Sequence, residues 1–132
     1  MSLKQDITGI AAIADWLGDG GSPVSPVLAE FRANRCTSGN DGKPCPYNTS
    51  PGWWNTVKDT VAQWIRRELE VKNAMQLHTA QDDHLHMCTV CGCCPKLKVW
   101  TPLKHIRDHT PHDIIKKFPA FCWQRVELER VN

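Results

Sequence analysis

The sequence has no block of one charge and no long apolar run. Sixteen lysines and arginines stand against fourteen aspartates and glutamates in 132 residues, a formal charge of +2 with the signs interspersed. A strong nucleic-acid or membrane-surface binder would carry a clustered excess, which argues against that class. The apolar stretches fall well short of the roughly 20 residues that span a bilayer, so membrane insertion is not expected. Asp6 and Asp15 bracket the short apolar run near the start, and no cleavage pattern follows it. No signal peptide is visible, and a reducing compartment is the expected environment. Internal repeats, a phosphate-binding glycine loop, a His-Glu-x-x-His arrangement and a nucleophile-and-base pair are also missing, so an enzyme is not the expected class.

Cysteine, by contrast, is plentiful. Seven cysteines in a chain of this size, in a reducing compartment, point to metal ligation ahead of disulfides. The strongest local signal is Cys88-Thr-Val-Cys91-Gly-Cys93-Cys94-Pro95. A Cys-x-x-Cys pair on a tight turn can aim two thiolates at one metal, and Gly92 lets the backbone bend. Cys93 can add a third sulfur, with Cys36, Cys45 and Cys122 as remote partners, which makes the candidate metal set Cys36, Cys45, Cys88, Cys91, Cys93 and Cys122. Zinc is the expected ion, since it takes four thiolates at about 2.3 Å in just such two-part sites. A 4Fe-4S cluster is the alternative, because three closely spaced cysteines with a remote Cys45-Pro46 can also hold one. No βαβ pattern surrounds Cys88 and Cys91, which speaks against a thioredoxin-like redox role. His105 and His109, near His112, form a competing ligand set, with His84 and His86 just before the knuckle. Pro111 and the polar surroundings favour exposed, unliganded histidines there.

The length predicts one domain over 1–132. Residues 1–75 form a helical half interrupted by the Cys36/Cys45 loop, and residues 76–132 a Cys/His-rich metal-binding half. Ile7, Ile10, Ala11, Ala14 and Leu17 recur at helical spacing before the glycines of 18–21. Ser25 and Pro26 suit the cap and first position of a second helix, with Val27, Leu28 and Phe31 as its expected buried side. From 55 to 71 an amphipathic pattern sets Val57, Val61, Trp64, Ile65 and Leu69 against Lys58, Arg66, Arg67 and Glu70. Trp16, Trp64 and Trp100 are expected in the core, and Trp53 and Trp54 as a contact surface. Residues 96–100 and 125–131 alternate like strands that could pair as a ribbon, with short helical turns at Ile106 and 113–118. The expected fold class is mainly α (small α+β), with a short metal-tied β-ribbon and a Cys knuckle in the C-terminal half.

Several fragments together carry a family resemblance. They are Trp16-Leu17-Gly18 with Gly20-Gly21 and Pro23-Val24, Arg32-Ala33 before Cys36, and Cys45-Pro46 followed by Asn48. Cys88-x-x-Cys91-x-Cys93 then leads into Lys96-Leu97-Lys98-Val99-Trp100 and Pro102-Leu103, and Cys122-Trp123 follows near the end. The pattern resembles a group of small cysteine-rich metal-binding proteins of tailed bacteriophages and prophages. In that group the first two cysteines lie close together, whereas eight residues separate Cys36 from Cys45 here. The group also has proline after the third knuckle cysteine, where this chain has Cys94, so Cys94 ranks as the most dispensable sulfur. The resemblance implies a phage-encoded structural or interaction protein, such as a minor virion or tail component. Its expected partners are other phage structural proteins, and its expected location is the host cytoplasm during expression, with the virion as a candidate. The runner-up is a zinc-ribbon-like nucleic-acid binder using Lys96, Lys98, Lys104 and Arg107 on phosphate.

Overall fold

Local punctuation sets the long helices. The computed structural model describes residues 3–49, 53–88, 90 and 94–130, and side chains over 11–48, 60–86, 88, 90 and 94–130. Helix α1, Leu3–Gly18, gives way to Gly20 and Gly21, both at positive φ. A Cβ on Gly21 would stand 2.6 Å from Leu69 Cδ2, so only glycine lets this loop lie against the third helix. Helix α2, Pro26–Ser38, starts as its sequence predicts: Ser25 Oγ accepts from the Leu28 amide at 3.3 Å and Pro26 takes the first turn. Helix α3, Trp53–Asn73, ends where Ala74 turns left-handed at φ 52°. Asn73 Nδ2 there donates to the carbonyls of Leu69 and Gly21.

The remainder is built from short pieces. A 3-10 turn at Asp82–His84 precedes α4 (Pro95–Lys98), α5 (Leu103–Asp108), α6 (His112–Ile115) and α7 (Trp123–Arg130). The architecture is mainly helical. Strand pairing among the described residues is confined to β1 (Asn48–Thr49) and β2 (Met87–Cys88), antiparallel, with Asn48 opposite Cys88, apart from an isolated bridge between Asn40 and Lys43. One apolar cluster runs from Trp16 through Ala29, Ala33, Leu69, Leu97 and Trp100 to Trp123 and Leu128, so both halves of the sequence contribute to the same core.

The two strands expected at 96–100 and 125–131 are helical instead, as α4 and α7. Pro95 at a first helical position favours α4, and α7 buries Trp123, Gln124 and Leu128, a helical stripe rather than alternate residues. Short alternating runs fit both periods.

The helix faces also differ from the expected ones. On α3, Ala62, Arg66 and Leu69 are buried, while Val61 and Trp64 are 52% and 60% exposed. Arg66 is held inward by Asp82 at 2.9 Å, and the same carboxylate accepts from the Thr79 amide and hydroxyl. On α2, Ala29, Arg32 and Ala33 are buried and Val27 and Phe31 face out. Small alanines let α2 approach closely, and Arg32 supplies the directional contacts. Its guanidinium meets Glu127 through two bonds of 3.0 and 2.7 Å, donates to the carbonyls of Val99 (3.1 Å) and Thr101 (2.7 Å), and lies 4.5 Å from the centre of a Trp123 ring.

Breaking such a buried pair from one side leaves a carboxylate and two carbonyls without their donor. Arg32→Ala is expected to lower unfolding stability by about 3–5 kcal/mol, read by urea denaturation. Leu69→Ala should lower it by about 2–5 kcal/mol, whereas Trp64→Asp, on the exposed face, should stay within about 0.5 kcal/mol of the parent. A large loss in Trp64→Asp would reverse the orientation of α3.

Candidate metal centre

Cys36 lies in the last turn of α2, and the eight residues after it fold into a closed excursion. Asn40 and Lys43 exchange amide and carbonyl bonds of 3.1 and 3.0 Å around Asp41 and Gly42, whose φ values are 57° and 84°. Positive φ at both central residues is the turn that matches strand twist in a two-residue hairpin. At the base of the excursion the Cys45 amide donates to the Cys36 carbonyl at 2.9 Å. The two cysteines are therefore neighbours despite their spacing.

Asn48 carries the chain from there to the knuckle. Its amide donates to the Cys45 carbonyl at 3.0 Å. Its side chain donates to the His84 carbonyl (2.9 Å) and accepts from the His86 amide (2.7 Å), which sets β1 beside β2 and Asn48 opposite Cys88. Cys122 arrives on the turn before α7, where Arg35 donates to the Phe121 carbonyl at 3.0 Å and Arg125 to the Phe118 carbonyl at 2.8 Å. Arg35 directly precedes Cys36, so one side chain ties the first cysteine segment to the last.

The result is a cavity of about 20 Å³ whose walls include Cys36, Cys45, Cys88 and Cys122, together with Val90, Lys98, Phe118 and Trp123. Such a volume holds about one water-sized sphere. Val90, Ile114, Phe118 and Cys122, with Cys88 packed against them, form a small apolar cluster apart from the main core. Burial pushes the Cys45 thiol up from its ordinary value, and hydrogen bonds from the backbone at Tyr47 and Asn48 offset part of that. Among the described residues no disulfide joins the cysteines, and no group of three or more His, Cys, Asp or Glu side chains stands close enough to hold a metal ion as placed. Cys91 and Cys93, with Gly92, lie outside the described residues. Cys94 is buried in the main core at the start of α4.

The histidines fall elsewhere. His105 is buried, not exposed as expected: its Nδ1 lies 2.8 Å from Asp15 Oδ2 and its Nε2 3.5 Å from Asp19, with His109 Nε2 3.4 Å from Asp15. Asp15 thereby fastens α1 to α5. His84 and His112 are exposed and His86 is half-buried. Two features of the site escaped the sequence reading. Lys98 is fully buried in the cavity wall, against its polarity. The Asp41-Gly42 pair was a legible hairpin signal that would have brought Cys36 and Cys45 together.

Comparison of the chain with protein-family models, with curated proteins and with solved structures finds no match.

The hydrogen bond from His105 holds the Asp15 carboxyl below its ordinary value of 3.8, with burial opposing and the charges of His105 and His109 assisting. A carboxylate depressed in the folded state stabilises fully above its ordinary value and loses that contribution as the pH falls through the lowered one. Wild type should therefore melt above Asp15→Asn at neutral pH, and the gap should close as the pH drops below 3.8. A gap that persists unchanged into acid would remove this role from Asp15.

Proposed function

We propose that the chain is a metal-stabilised structural or interaction module of the phage-encoded kind its motifs resemble. One zinc centre is held by thiolates drawn from Cys36, Cys45, Cys88, Cys91, Cys93 and Cys122. The observation that carries this reading is the convergence of Cys36, Cys45, Cys88 and Cys122, from well-separated stretches of sequence, on one cavity of about 20 Å³. Reduced cysteines used only as small hydrophobes would have no reason to share a cavity. Cys91 and Cys93 follow Cys88 by three and five residues, within reach of the same ion. Room for about one water-sized sphere suits a single ion better than a four-iron cube, which favours zinc. In this reading the β1 and β2 pair is the metal-tied ribbon, because it sets Asn48 opposite Cys88.

Zinc would supply structural energy rather than chemistry. Four thiolates close the coordination sphere, and the apparent binding energy of such sites, roughly 10–16 kcal/mol, rivals a domain's whole stability. The short helices of the C-terminal half have little apolar area to hold them, so the centre would fasten the Cys45 loop, the knuckle and the turn at Cys122 together. Partners would be other phage structural proteins, meeting exposed apolar side chains such as Val27 and Phe31 on α2 and Val61, Trp64 and Val71 on α3. The nucleic-acid reading loses support from the structure: of its four cations, Lys98 is buried and Lys104 lies 3.8 Å from Asp19. Among the described residues no helix is long and apolar enough to cross a membrane.

Metal analysis and an absorption spectrum of protein purified without oxygen test the proposal. A colourless protein with about one zinc per chain is expected. Cys45→Ala and Cys88→Ala should lose the metal and melt lower, while Cys94→Ala should keep it. A brown preparation bleached by dithionite, with about four irons and sulfides per chain, would replace zinc by a cluster. Wild type without any bound metal would overturn the proposal.

A further inference from the structure

A lysine in the interior is an anomaly that needs a partner charge. Lys98 has no exposed surface, its Nζ included, and it forms part of the same wall as Cys36, Cys45, Cys88 and Cys122. Taking an ammonium out of water is strongly unfavourable unless an anion or a set of acceptors meets it. Among the described residues that line the cavity, Lys98 is the one with a formal positive charge. The nearby Arg32 cannot take that role, because its charge is matched by Glu127.

The position of Lys98 is also fixed. Its amide closes the turn of α4 on the Cys94 carbonyl at 2.9 Å. The carbonyls of Val99 and Thr101, just beyond it, are both held by Arg32. The backbone that carries the ammonium is thus clamped on both sides.

We propose that Lys98 is the charge-compensating residue of the thiolate centre, its buried ammonium offsetting negative charge on the ligand sulfurs. The inference rests on the metal-centre reading above. Four thiolates around a divalent zinc leave two surplus negative charges, and an oxidised four-iron cluster with four thiolates carries the same surplus. Either centre, enclosed by Val90, Phe118 and Trp123, needs a cation close by. Lys98 touches neither substrate nor reacting atom and acts through the sulfurs, so it is a positioning residue.

The test compares wild type, Lys98→Met and Lys98→Arg. Each is titrated with zinc against a chromophoric chelator, and each is melted with and without zinc. Lys98→Met, close in shape and uncharged, should bind zinc at least about tenfold more weakly. Lys98→Arg should recover most of the affinity. Without zinc, Lys98→Met should melt no lower than wild type, because a buried charge has been removed, and zinc should raise its melting temperature by less. A lysine that served only packing would lower both melting temperatures together. Equal zinc affinity in Lys98→Met and wild type would overturn the inference and leave the metal centre standing. So would a Lys98→Met protein that fails to fold even with zinc present. A wild type that binds neither zinc nor a reconstituted cluster would overturn the metal centre, and this inference with it.

Discussion

The Arg32 guanidinium is the constraint around which the chain is arranged. A charge this deep is tolerable only when every donor is engaged and a counter-charge is in contact. Glu127 supplies the carboxylate in fork geometry, Val99 and Thr101 supply carbonyls, and Trp123 supplies a ring face. These contacts bring α2, the segment after α4, and α7 to one point. Each of them adjoins the cavity: Cys36 is one helical turn beyond Arg32, Lys98 precedes Val99, and Cys122 precedes Trp123. The side chain that orders the core therefore also sets three walls of the candidate centre.

Where the chain lacks long helices, single carboxylates do the fastening. Asp82 gathers Arg66, the Thr79 amide and hydroxyl, and His78, and so pins the turn that leads into β2. Asp15 gathers His105 and His109 and holds α5 to α1. Glu70 accepts from the Leu77 amide just past the end of α3. Such contacts are directional but individually modest, so a region built on them gains much from one strong cross-link among its cysteines.

Helix ends were legible in the sequence and helix faces were not. Ser25 with Pro26, and the glycines after Trp16, act through local backbone geometry, so nearby residues suffice to read them. Faces depend on which residues find partners at a distance. Arg32, Arg66 and Lys98 would be assigned to solvent by any polarity pattern. Arg32 is turned inward by a carboxylate 95 residues away, and Arg66 by one 16 residues away. The displaced apolar side chains, Phe31 and Trp64, are then left outside. The alternation at 96–100 and 125–131 misled because so short a run fits a strand or a turn of helix equally well. At the candidate site, the types of ligand and the remote partners Cys36, Cys45 and Cys122 could be read from composition and spacing, whereas the buried lysine among them could not.

The excursion between Cys36 and Cys45 closes at its own base, through one backbone bond, while its tip at Asp41 and Gly42 lies in solvent. Loop length is thereby uncoupled from the placement of the two thiols, since lengthening a closed loop raises its entropic cost only logarithmically. The tip is a natural splice point, where a reporter peptide or a small inserted module could be carried without disturbing the sulfurs. For the same reason, a search pattern that demands a fixed interval between these two cysteines would pass over chains that position them identically.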